Sequence, residues 1–186
     1  SCIAIQDYHL NTYTVFSPFS ATIKFDRSKN RVDVVGDNIL NTVKFNPDLS
    51  VELQLYPQYV FRSDTSVNIQ LLPPLLVPPR SDAIVTAGEF DISRWYRPLH
   101  TAFLIPNTID VFEIKEGDPL FSIRFVTKNN EPVKLVRQAL NETEHHLVNA
   151  CANVTYIKTG SKLDKLYHYF DTFKQSLNTK KSRCPF

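Results

Sequence analysis

The sequence predicts a mainly β domain, a barrel or sandwich of jelly-roll-like kind, followed by two C-terminal α-helices. Three observations carry that expectation. Between residues 21 and 126, apolar and polar residues alternate with period two in one short run after another, the pattern of strands that bury one face. Gly, Pro, Asn and Asp fall between those runs, where turn backbones need them. After Asn129 the apolar spacing changes to that of an amphipathic helix.

In chain order, Ala21, Ile23 and Phe25 alternate with Thr22, Lys24 and Asp26. The polar loop 27–30 then leads into Val32-Asp33-Val34, a hairpin pattern. A loop with Gly36, Asp37 and Asn38 precedes a strand at 43–45, and Asn46-Pro47-Asp48 makes the next turn. Val51, Leu53 and Leu55 alternate with Glu52 and Gln54; Pro57 interrupts before 59–62; Val67, Ile69 and Leu71 alternate with Asn68 and Gln70. The stretch 71–80, LLPPLLVPPR, is not predicted as a central strand, because its four prolines lack the N–H that a ladder needs. It reads as an extended segment over the surface or along a sheet edge, either a stiff connector or a wall for a partner.

The stretch 88–127 organises the rest and reads as three strands. Gly88 and Pro98 bracket a polar corner, 99–105 is an apolar run, and Phe112 and Ile114 alternate with Glu113 and Lys115. Gly117-Asp118-Pro119 turns the chain into Phe121, Ile123 and Phe125, which alternate with Ser122 and Arg124. Beyond it, Pro132 suits a first helical turn, and Val133, Val136, Ala139, Leu140, Leu147, Cys151 and Val154 recur at helical spacing. Gly160-Ser161 separates a second helix, with Ser161 as N-cap, Asp164 three residues later, and a stripe of Leu163, Leu166, Tyr167, Phe170, Phe173 and Leu177. The expected division is a β core at 1–128 and a helical appendage at 129–186 packed on the same domain.

The totals narrow the class. A chain of 186 residues with 42% hydrophobic content can bury a core without a disulfide or a metal. No run approaches the roughly 18 apolar residues of a membrane helix, so we expect neither a membrane span nor a signal peptide, and a reducing, cytoplasmic setting. The balance of 21 basic against 19 acidic residues argues against a nucleic-acid binder over the whole surface. From Lys158 onward, seven basic residues face only Asp164 and Asp171, which makes either a solvated helix face or a patch for phosphate or an acidic partner. Cys2, Cys151 and Cys184 form no C-x-x-C pair, so no zinc site is predicted; Cys151 reads as a small core residue, and a Cys2–Cys184 bond is not expected. The sequons at Asn141 and Asn153 carry little weight without a secretion signal.

Motifs for chemistry are missing. His9, His100 and His168 are followed two residues on by Asn11, Ala102 and Phe170, so the H-x-D start of a two-histidine, one-carboxylate iron site is absent. His145 and His146 are adjacent and diverge on a helix. There is no G-x-S-x-G, and four glycines leave no room for a phosphate-cradling loop. The most suggestive cluster is Arg94-Trp95-Tyr96-Arg97. It can stack a base or clamp an anion, or it can cap the open end of the core with its arginines paired to acids.

Two resemblances add expectations. Pro79-Arg80-Ser81, Gly88-Glu89-Phe90-Asp91 with Tyr96-Arg97, and Ile114 to Asp118 resemble the P-R-S, G-x-I-D-x-x-Y-R-G and I-x-x-G-D segments of the dUTPase and dCTP-deaminase superfamily. That resemblance implies a β-clip barrel, with Asp91 positioning an attacking water and Arg80 and Ser81 contacting phosphate with Mg2+. The chain departs from the pattern where Asp91 lies five residues before Tyr96 and Pro98 replaces the glycine, and two helices stand where the family has a glycine-rich lid. The turn Trp95 to Pro98, the strand from Ile114 and the terminal Arg183-Cys184-Pro185-Phe186 are similar to a group of small β-rich proteins of marine bacteriophages, which implies a phage origin and a host cytoplasm.

The leading expectation is therefore a binding or assembly module without its own catalysis, acting as a homo-oligomer or with a protein partner. The alternative is a site for a phosphorylated small molecule made of Arg80, Ser81, Asp91, Arg94, Trp95, Arg97 and His100, with Mg2+ as cofactor and Asp91 as the catalytic group.

Overall fold

The alternating runs become strands because each can bury one face against the others. In the computed structural model, residues 2–56, 59–75, 77–78, 80–157 and 162–181 are described, without the side chains of 153–157, 173 and 176–181. The elements are α1 (Ile3–His9), β1 (Thr12–Phe16), β2 (Ala21–Asp26), β3 (Arg31–Gly36), β4 (Leu40–Asn46), β5 (Ser50–Leu55) and β6 (Asn68–Leu72). They continue with β7 (Ile84–Val85), β8 (Gly88–Asp91), β9 (Thr101–Pro106), β10 (Val111–Ile114), β11 (Pro119–Val126), α2 (Glu142–Ile157) and α3 (Leu163–Lys181).

Every ladder is antiparallel, and the strands fall into three sheets ordered β1-β11-β6-β8, β10-β2-β3 and β4-β5-β9-β7. The domain is thus mainly β with two C-terminal helices; among the described residues its ladders close no barrel. The inward residues of all three sheets meet in one core: Ile23, Leu53, Ile69, Phe103, Phe112, Ile123 and Phe125 are all but inaccessible. Burial of such a side chain stabilises by roughly 1.5 to 3 kcal/mol, so this core dominates the folding energy.

Local chemistry sets the corners. Asp26 accepts the N–H of Lys29, and Asn30 takes a left-handed φ of 49° to start β3. Gly36 ends β3 at φ +104°, where a Cβ would lie 2.5 Å from the Ser20 carbonyl oxygen, so no other residue fits without a shift.

Two expectations need correction. The stretch 88–127 holds four strands, because Gly88–Asp91 pairs with β6; its weak alternation hid it, since the exposed Glu89 is held by Asn68 and Gln70 and not by burial. The first long helix begins at Glu142 and not near Pro132. Asn11 donates to the Glu131 carbonyl and accepts from the Val133 N–H, and the Tyr13 hydroxyl donates to the Val133 carbonyl. These bonds hold 131–133 along β1, with Glu131 in an extended conformation (φ −63°, ψ 141°). The helix then starts from a reciprocal cap in which Asn141 Oδ1 accepts from Glu144 N and the Glu144 carboxylate accepts from Asn141 N.

Asn141, the first sequon, is therefore a helix cap. Residues 59–62 form no strand, and their β pairing is the isolated bridge Val60–Pro98. The proline segment forms no strand among its described residues, and its Leu75 N–H donates to the buried Ser122 hydroxyl. Pro57, Pro79, Lys158, Gly160, Ser161, Arg183, Cys184, Pro185 and Phe186, and the side chains of Asn153, Val154, Phe173, Leu177, Lys180 and Lys181, lie outside what is described.

Candidate functional site

The polar corner after β8 is built on Asp91. One carboxylate oxygen accepts both the Ser93 N–H at 2.8 Å and the Ser93 hydroxyl at 2.6 Å, the local bonding that lets an aspartate turn a chain. Its other oxygen faces the Ser66 hydroxyl at 3.5 Å. The turn sends Arg94, Trp95 and Tyr96 towards the helices.

There each side chain meets α2 or α3. The Arg94 guanidinium donates twice to Asp171, at 3.0 and 2.6 Å, and lies 4.8 Å from the centre of the Tyr167 ring. The bond to Asp171 raises the pKa of Arg94 further above its ordinary value. The Tyr167 hydroxyl accepts the Asp91 backbone N–H at 2.7 Å, and burial pushes that phenol up. Trp95 stands edge-on to Tyr167 with ring centres 5.8 Å apart. Tyr96 is buried with Cys151 and Phe170 in a second, smaller apolar cluster, and Lys174 donates to its hydroxyl. Burial pushes the Cys151 thiol up to about 12, so it is a packed, protonated residue and no nucleophile at neutral pH.

Arg97 and His100 form the other flank. The Arg97 guanidinium lies 5.5 Å from the Trp95 ring centre, and its terminal nitrogen faces His100 Nδ1 at 3.2 Å. Asn41 approaches the same Nδ1 at 3.4 Å, and Tyr56 packs on the ring. Burial first, and then the Arg97 charge, lower the His100 pKa to about 4. The imidazole is therefore neutral at pH 7, with Nδ1 accepting and the hydrogen on Nε2.

Arg80 sits elsewhere. It chelates Asp82 at 2.8 and 2.7 Å, donates to the Glu113 carbonyl, reaches Asp118 at 3.6 Å and covers the Phe112 ring. None of these partners is shared with Asp91 or Arg94. Ser81 is exposed. The structure thus brings Asp91, Arg94, Trp95, Arg97 and His100 to one corner and assigns Arg80 to the turn between β10 and β11.

Sequence reasoning missed Tyr167, Asp171 and Lys174 as partners of that corner, because they lie more than 70 residues away and nothing local marks them. It also missed Arg62, which pairs with the buried Glu144 beside an open cleft of about 530 Å³. The Asn141-x-x-Glu144 spacing was the readable signal there. The cap already engages the first-turn N–H of Glu144 and sets a carboxylate beside it, so that helix start does not serve an anion. Among the described residues, no three His, Cys, Asp or Glu side chains gather as a metal site, and no helix is long and apolar enough to cross a membrane.

Compared with known proteins, the chain matches no family model, no curated protein and no solved structure.

Proposed function

We propose that this chain is a binding or assembly module that works through its surface and carries no reacting groups of its own. The observation that supports the reading is the engagement of the corner's charges within the fold. Asp91 is bonded to Ser93, and Arg94 to Asp171; Arg80, outside the corner, is bonded to Asp82. At Arg94 or Arg80 a phosphate would have to displace Asp171 or Asp82 from a charge-assisted pair, and removing Asp171 from Arg94 also loosens α3. One oxygen of the Asp91 carboxylate is taken up by its own turn.

The test is a thermal-shift panel of nucleoside triphosphates, diphosphates and inorganic phosphate, each with and without Mg2+. A ligand at 100 times its dissociation constant adds about 2.7 kcal/mol to the folded state, so a modest binder is visible. The expected result is a flat panel. A Mg2+-dependent rise in Tm that Asp91→Asn abolishes would overturn the reading in favour of a nucleotide site.

A further inference from the structure

The sheet edges are finished differently, and β3 and β4 are the long edge strands whose outer sides carry no backbone bond among the described residues. In the sheet β1-β11-β6-β8, segment 131–133 is bonded along β1 through Asn11 and Tyr13, and Tyr167 of α3 takes the N–H of Asp91 at the end of β8. β3 ends its own sheet, and no described residue bonds its outer edge. The direction of its backbone groups follows from its neighbours. The Phe25 N–H is bonded to Asp110, away from β3, and Asp37 N–H is bonded to Ser20, on the β2 side. Phe25 faces Val32, so Val32 and Val34 are the residues whose N–H and C=O point outward, while those of Arg31, Asp33 and Val35 point to β2.

We propose that β3 pairs antiparallel with β3 of a second copy of this chain across a two-fold axis through Val34. The proposal names the partner for the assembly reading above and rests on it. In this register Val34 exchanges both bonds with the partner's Val34, and Val32 exchanges with the partner's Gly36. Arg31, which also holds Asp33 of its own chain, and Asp37, just past the end of β3 and accepting the Ser20 N–H, lie equally far from Val34 on opposite sides, so each Arg31 comes to the end of the partner strand that carries Asp37. The neighbouring registers are worse. Centring on Asp33 sets two carboxylates against each other, and centring on Val32 runs at once into the helical turn Arg27–Lys29 and the left-handed Asn30. The exposed Val35, 62% accessible, gains cover beside the new strand.

Val34→Pro separates this pairing from the fold. The Val34 N–H points away from β2, so proline there removes a bond of the proposed interface and none of the β2–β3 ladder. Light scattering across a dilution series is expected to give the wild type as a species of twice the 21.4 kDa chain mass that dissociates on dilution. V34P is expected to be monomeric throughout, with an unchanged far-ultraviolet spectrum. Should V34P fail to fold, Arg31→Glu decides: two reversed cross-strand pairs raise the dimer dissociation constant roughly tenfold, and adding Asp37→Arg restores it. A wild-type monomer at every concentration, a dimer that survives V34P, or a dimer dissociation constant that R31E leaves unchanged overturns the pairing through β3. The surviving dimer would leave the assembly reading standing on another surface, whereas a nucleotide-dependent shift in the panel above would remove that reading itself.

Discussion

The β core and the helical cap are held together by different physics. In the core, 24 buried apolar residues among those described, from all three sheets and the segments between strands, make a single cluster. In the cap, among the described residues, a small apolar centre of Tyr96, Cys151 and Phe170, with Trp95, Leu147 and Val148 packed against it, is supplemented by polar bonds: Asp91 to Tyr167, Arg94 to Asp171, Tyr96 to Lys174. A large apolar cluster opens cooperatively, whereas a small one closed by surface bonds opens locally and first. The polar corner that suggests a binding site in the sequence is thus the joint on which the cap is seated.

The largest effect that sharpens this contrast is in the core. Phe103→Ala, at a side chain with no exposure, is expected to cost about 3 to 5 kcal/mol and to lower the single main unfolding transition by calorimetry. Phe170→Ala deletes a ring that is equally inaccessible, yet the cost is expected to be local. α2 and α3 should become susceptible to limited proteolysis while the sheet transition stays near its wild-type temperature. A lowered sheet transition of the size seen with Phe103→Ala would erase the distinction between the two regions.

Tyr167→Phe comes next. It leaves the ring and removes the oxygen that accepts the Asp91 N–H, with an expected loss of about 1 kcal/mol in chemical denaturation of the helical region. Arg94→Ala is smaller, about 0 to 1 kcal/mol and weaker in high salt, because both partners are more than a third exposed.

A pH titration addresses the flank of the corner that faces the core. His100 titrates near 6.5 in the unfolded chain and near 4 in the folded one, so the unfolded state takes up its proton first as pH falls. Stability at this group is complete above pH 6.5 and declines towards pH 4, and His100→Asn is expected to flatten that part of the Tm profile. An unchanged slope would place the acid sensitivity elsewhere.

How much of this was legible follows the same division. β2, β5 and β6 were readable because Ile23, Leu53 and Ile69 are buried at period two, a relation that lies within five or six consecutive residues; β11 was readable from Phe121, Ile123 and Phe125, although Leu120 and Ser122 are buried as well. β8 was not, since Glu89 is satisfied by amide side chains on the neighbouring strand and buries little. The apolar spacing around Val133 and Val136 looked helical, and bonds to Asn11 and Tyr13, more than 100 residues away, override it. Trp95 and its arginines were visible as a cluster, but their purpose depends on Tyr167 and Asp171. A local pattern shows which groups are available and cannot show which of them the fold itself consumes.

The most direct test of the joint is hydrogen exchange, followed by mass spectrometry, on the double variant Arg94→Ala, Tyr167→Phe against the wild type. If the corner seats the cap, amides of α2 and α3 lose protection while β5 and β9 exchange as before. Unchanged protection in both helices would contradict the joint and return the corner's charges to the search for a ligand.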